Sequence, residues 1–202
     1  MLGMAVMALA LPACGGGPER QDAAEPEGEF RVEISKAQFP TRQRLAREVN
    51  LVLGVKNTGT QTVPNLAITI HTDPNAQRPF GIVTDDPREA NSTRPVWVLE
   101  HEYPRLVGAS APAGAVTANT STFQFGSLPP GETREALWLL SPVRPGTYTL
   151  NYEVSAGLHG KAKAVGQDGS KPAGRFLVRI AGAPPRASIG KGGKVVIGKP
   201  KQ

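Results

Sequence analysis

Apolar residues recur at every second position in short runs along this chain, and a period of two admits one kind of backbone. Phe30, Val32 and Ile34 fall on one face, as do Val49, Leu51, Leu53 and Val55. The pattern returns in Leu66, Ile68 and Ile70, in Val96 and Val98, in Phe123 and Phe125, and in Ala136, Trp138 and Leu140. It closes with Tyr148 to Val154 and with Phe176, Val178 and Ile180. Successive side chains of a strand point to opposite faces, so each run is a half-buried strand, and about eight strands emerge. Turn signals separate them: Asn57-Thr58-Gly59-Thr60, Pro129-Pro130-Gly131 and Pro145-Gly146. No segment carries a sustained helical repeat with caps, and the most helix-like piece, Ala37 to Glu48, is broken by Pro40. Short strands with one apolar face must bury it against a second sheet, so an all-β antiparallel sandwich is the expected fold.

A different pattern precedes the strands. Leu2 to Leu11 are all small or apolar, and Pro12, Ala13, Cys14 and Gly15 to Gly17 follow. Ten such residues are too few to cross a bilayer as a helix, but they suit the apolar region of a secretory signal. Leu11-Pro12-Ala13-Cys14 resembles the lipobox of bacterial lipoproteins. The resemblance implies cleavage before Cys14 and lipid attachment to it, so residues 1–13 would be a signal peptide. Each buried methylene of the acyl chains would add about 0.8 kcal/mol of membrane affinity. Residues 14–29 then form a lipidated, flexible tether, rich in Glu and Asp with Pro18 and Pro26 and no aromatic residue. Cys14 is the one cysteine of the 202 residues, which excludes an intrachain disulfide, a multi-thiolate zinc site and an iron–sulfur cluster.

The body of the chain resembles a family. Leu51 to Thr60 followed by Val63-Pro64-Asn65-Leu66-Ala67-Ile68 is similar to the strand, NTG turn and strand of bacterial immunoglobulin-like domains of the cell-adhesion-related (CARDB) type. Leu128-Pro129-Pro130-Gly131-Glu132 and Pro145-Gly146-Thr147-Tyr148-Thr149-Leu150 match the same pattern. Gly146-x-Tyr148 resembles a tyrosine corner, with Leu150 where an antibody domain has its cysteine. The resemblance implies an immunoglobulin-like sandwich over residues 30–182 that acts as a surface module rather than a catalyst.

Residues 73–121 depart from that pattern as a long insertion, and long insertions carry function more often than strands do. A binding surface is therefore expected there, on Trp97, His101 and Tyr103. Trp138 alternates in phase with Ala136 and Leu140 and reads as core, whereas Trp97 lies out of phase with Val96 and Val98 and reads as a candidate exposed aromatic edge.

Chemistry finds little purchase. Asp73, Asn75, Asp85 and Asp86 lack the spacing of a helix-flanked calcium loop, with Arg78 where its glycine belongs and Thr84 where its glutamate belongs. His101-Glu102-Tyr103-Pro104-Arg105 starts like a zinc-protease helix but ends in Arg, and Pro104 breaks the helix. Nothing in the spacing of His71, His101 and His159 asks for a metal. No Gly-x-Ser-x-Gly elbow or Walker loop occurs, and adjacent Asp85 and Asp86 diverge in extended backbone. No catalytic residue, cofactor or metal is expected.

Net charge is +6, yet ten Lys and Arg from Lys161 onward face Asp168 alone, which leaves residues 1–160 at −3. A uniform nucleic-acid face is not expected. Residues 183–202 read as a basic flexible tail in which Val195-Val196-Ile197 would form a short strand. The expectation is an exported, lipid-anchored protein of the cell membrane or outer membrane, facing the periplasm or cell exterior. It would bind an envelope protein or glycan without catalysis. A periplasmic or surface solute- or metal-binding protein using His101 is the alternative, and an envelope hydrolase the third.

Overall fold

Every alternating run but that of Val96 and Val98 lies in or beside a strand with its apolar positions pointing inward. The computed structural model describes residues 25–73, 80–82, 95–101, 103–108, 121–182, 187–189 and 193–197. Among them there is no helix, and thus none long and apolar enough to cross a membrane. The strands are β1 (Gly28–Gln38), β2 (Arg42–Arg44), β3 (Val49–Asn57), β4 (Ala67–Asp73), β5 (Phe80–Ile82), β6 (Trp97–Leu99) and β7 (Arg105–Leu106). They continue with β8 (Thr122–Gln124), β9 (Thr133–Pro142), β10 (Gly146–Ser155), β11 (Ala162–Val165), β12 (Ala173–Ala181), β13 (Ala187–Ile189) and β14 (Val195–Ile197).

Two sheets form the sandwich. The first runs β11-β1-β3-β9-β6-β5, with β7 also on β9; the second runs β2-β12-β10-β4-β8. In immunoglobulin lettering β1, β3 and β9 take the places of strands A, B and E, and β12, β10 and β4 those of G, F and C. The main ladders are antiparallel, and three short parallel pairs lie toward the sheet edges: β1 with β11, β2 with β12, and β5 with β6. The chain passes from β1 in one sheet to β2 in the other through residues 39–41, so this one segment stitches both sheets together.

The core fills from both inner faces. Leu51, Leu53 and Val55 of β3 and Ala136, Trp138 and Leu140 of β9 are buried with Ile68 and Ile70 of β4, Leu150, Tyr152 and Val154 of β10, and Val178 and Ile180 of β12. Trp138 meets Phe123 and Phe125 edge-on, with ring centroids 5.7 and 5.8 Å away. The tyrosine corner is present: Tyr148 Oη donates to the Pro145 carbonyl at 2.9 Å, and Leu150, two residues on, is fully buried.

Close approach dictates one glycine. Lys36, Gly54 and Glu135 lie in one cross-strand row, beside the bulge in β1 between Ile34 and Lys36. A Cβ on Gly54 would sit 2.8 Å from Ser35 Oγ and 2.9 Å from Lys36 Cβ. With no side chain between them, Lys36 Nζ reaches Glu135 Oε2 at 2.9 Å across β3.

Two boundaries shift from the sequence reading. The sandwich begins before residue 30, because β1 starts at Gly28 and Glu25 is already docked on the domain. The described part of the 73–121 insertion is edge strand as well as loop: β5 and β6 extend the first sheet beyond β9, and β7 pairs with β9 too. In the 183–202 tail the strand expected at Val195–Ile197 is present as β14, and it pairs antiparallel with β13.

Candidate functional site

Of the three residues expected to form a binding surface, Trp97 is core. Its relative exposure is 0%, and its indole Nε1 donates to Gln43 Oε1 at 2.7 Å. Val96, Trp97, Val98 and Leu99 are apolar in succession, so alternation alone leaves their phase open. Pairing decides it: Trp97 and Leu99 oppose Pro142 and Leu140 of β9 and turn inward, while Val98 is half-buried. Trp97 then packs against Phe39 and Tyr148, with centroids 5.6 and 6.0 Å away. Gln43 is itself buried and donates through Nε2 to the Pro40 carbonyl at 2.8 Å, so β2 of one sheet is clasped to β6 of the other.

His101 and Tyr103 are half-buried and stand on the segment joining β6 to β7. Leu99 pairs with Leu140 and Arg105 with Leu137, so five residues on this side face two on β9 and the segment must bow off the sheet. His101 Nε2 lies 2.7 Å from Arg105 Nη2. A guanidinium only donates, so Nε2 is the acceptor and the ring proton sits on Nδ1. That lone pair is engaged, which argues against metal ligation through Nε2.

His71 lies in β4, opposite Asn151 of β10, and His159 in the loop between β10 and β11. Among the described residues no group of three His, Cys, Asp or Glu is placed to hold a metal ion. Cys14, Asp85 and Asp86 lie outside the described residues.

Sequence reasoning missed a carboxylate site. Glu25, just before β1, accepts from His159 N at 2.7 Å through one oxygen and from Ala162 N at 2.9 Å through the other. The loop between β10 and β11 thus forms a nest of backbone N–H groups around an acid supplied by the same chain. Gly157 makes room for it, since a Cβ there would overlap the carboxylate. Burial raises the Glu25 pKa, but the N–H groups of Ala162, His159 and Leu158 and the nearby His159 ring outweigh it, leaving the carboxyl below its ordinary value. Backbone N–H groups leave no signature in a sequence; the glycines at 157 and 160 are the one visible trace.

A folded-state pKa below the unfolded value gives stability that is present above the ordinary carboxyl range and lost as pH falls through the folded pKa. Glu25→Ala is accordingly expected to cost about 1 kcal/mol at neutral pH, screened by solvent, or roughly 3 °C in Tm. The difference from the wild type should narrow between neutral pH and acid below the ordinary carboxyl range. Thermal unfolding at both pH values checks this, and a gap that persists in acid would disprove the latch.

Comparison with known proteins adds only fold likeness. No protein-family profile matches the chain. No curated protein matches it. Solved structures similar to it include a CARDB domain from Pyrococcus furiosus crystallised with di-metal ions, 12% identical, with 76% of this chain and 86% of that chain covered and a TM-score of 0.40. An Escherichia coli alpha-2-macroglobulin fragment from domain MG7 to the C-terminus is 12% identical over 79% of this chain and 18% of its own, with a TM-score of 0.41. A chain of the human seminal plasma complex between zinc 2-glycoprotein and prolactin inducible protein is 10% identical over 74% and 93%, with a TM-score of 0.40. The sandwich assignment stands on the strand pairing itself.

Proposed function

We propose that this chain is an exported lipoprotein whose immunoglobulin-like sandwich acts by non-covalent binding at the cell envelope, to a protein or glycan partner. The observation that carries the reading is Leu11-Pro12-Ala13-Cys14, with the chain's single cysteine placed where an apolar run gives way to glycine. The Glu25 latch supports it. Ten residues separate Cys14 from Glu25, so an anchor at Cys14 would hold the sandwich within about 37 Å of the bilayer surface. His101 and Tyr103, on the bowed segment at the sheet edge, are the contact residues of this reading.

Intact mass and membrane fractionation from the native host test it, wild type beside Cys14→Ala. The expected wild-type mass corresponds to cleavage before Cys14 plus acyl chains, with the protein in the membrane fraction. Both properties should be lost in the variant. An unprocessed, soluble wild type would overturn the reading.

A further inference from the structure

The outer faces of the two sheets carry charge differently. On the first sheet Lys36 is matched by Glu135. On the second, the exposed side of β12 presents Arg175, Leu177 and Arg179, while β2 places Arg42 beside Arg179 and Arg44 beside Ala181. Inward-facing neighbours settle the orientation: Val178 and Ile180 alternate with these positions and are buried, and Gln43, paired with Ile180, is buried too. Arg42, Arg175 and Arg179 are exposed and Arg44 half-buried. Among the described residues, no carboxylate pairs with any of the four. The rows continue across β10 through Thr147, Thr149 and Asn151 to Asp73 and His71 of β4. Glu153, one row beyond Asn151 and its partner Arg175, is tied to Lys171.

Strand geometry fixes the dimensions. Neighbouring strands lie about 4.8 Å apart and alternate residues of a strand about 6.7 Å apart, so the four arginines fall within a patch of roughly 5 by 20 Å. Leu177 stands between Arg175 and Arg179 at 65% exposure. The patch is a pleated surface, and the depression beside Arg175, lined also by His71, Asn151 and Glu153, is shallow and open to solvent rather than closed around a small anion.

We propose that this arginine face of the second sheet docks on an anionic phospholipid surface. The guanidiniums take headgroup phosphates through paired N–H donors, and Leu177 enters the boundary between headgroups and acyl chains. Charge complementarity selects an anionic partner, and the apolar residue among the arginines selects a bilayer over a dissolved polymer. The surface adds to the anchored reading and does not require the lipid on Cys14.

The test is sedimentation of the full chain carrying Cys14→Ala with vesicles of phosphatidylcholine alone or mixed with phosphatidylglycerol. The quantity read is the difference between the two, which cancels any partition of the apolar run Leu2 to Leu11 into neutral lipid. Binding is expected to require phosphatidylglycerol and to weaken as salt rises. Arg42→Glu with Arg175→Glu and Arg179→Glu should reduce it roughly 100-fold, at about fivefold or more per arginine, and Leu177→Ser several-fold. Arg→Gln at the same three positions, with an unchanged Tm, gives the same direction if charge reversal disturbs folding. Retention of binding by the folded Arg variants would overturn the proposal. So would loss that follows Lys191, Lys194, Lys199 and Lys201 →Gln instead, or equal binding to neutral vesicles. Displacement from vesicles by soluble polyphosphate, at equal phosphate and equal ionic strength, would transfer the face to a dissolved polyanion and also overturn it.

Discussion

Asn57→Leu is expected to lower the free energy of unfolding by about 3–5 kcal/mol, out of a total of about 5–15 kcal/mol for a domain of this kind. Asn57 ends β3 fully buried, and its amide is spoken for on every side. Nδ2 donates to the Gln61 and Leu128 carbonyls, each at 2.8 Å, and Oδ1 accepts from Gly59 N at 2.9 Å. Its backbone adds two more links, accepting from Gly131 N and donating to the Glu132 carbonyl, both at 2.9 Å. One side chain therefore joins the turn after β3 to the Leu128–Glu132 turn before β9. Leucine has similar volume but leaves three backbone groups with fewer partners, and each such loss costs about 1–3 kcal/mol where water is excluded. Asn57→Asp keeps the acceptor and loses both donations, so it should fall in the same range while also burying a charge. Urea unfolding measures this. A cost below about 1 kcal/mol for both variants would mean that the two turns are held elsewhere.

Trp97→Ala is the second large effect and separates two readings of one residue. A surface aromatic removed from an edge changes stability by about 0.5 kcal/mol at most. A fully buried indole between Phe39 and Tyr148 should cost about 3–5 kcal/mol, with further loss from orphaning Gln43 Oε1. Trp97→Phe isolates the second contribution, because it keeps an aromatic ring and deletes the indole N–H. Denaturant midpoints for the pair check the assignment. A small effect from Trp97→Ala would return this residue to the surface.

Seven of the eight alternating runs are legible because each strand has one dry face, and burial selects the same residues that periodicity marks. Tyr148 was legible for a local reason: its hydrogen-bond partner is three residues away, at Pro145. What escaped was nonlocal or too short to show a period. β2, β5 and β7 have two or three residues each, and β11 has four. Pairing with a longer strand, rather than their own pattern, makes them strands. Trp97 was misplaced because four consecutive apolar residues carry no phase until β9 supplies one. In the sequence Glu25 reads as part of an acidic tether, because its partners are backbone groups more than 130 residues away. Arg42 and Arg179 look unrelated along the chain, and the parallel pairing of β2 with β12 makes them neighbours. The candidate surface at His101 and Tyr103 was found from the length of the insertion, a signal that locates a region without saying what it touches.

The parallel pairing of β2 with β12 has a mechanical side. The described chain enters the sandwich at Glu25 and runs the length of β1, about 36 Å, before reaching β2. β12, running in the same direction as β2, leaves the domain near the same far end, at Ala181. A pull that separates these two ends along the long axis drags β2 and β12 past each other lengthwise. Their hydrogen bonds, over Arg42–Arg44 and Arg179–Ala181, would then bear the force together instead of opening one after another. A domain tethered on its β1 side and gripped beyond β12 would resist extension through these pairs together with the ladders that hold β1 to β3 and β11, and its lifetime under tension would follow the rate of their joint rupture rather than the equilibrium stability of the core.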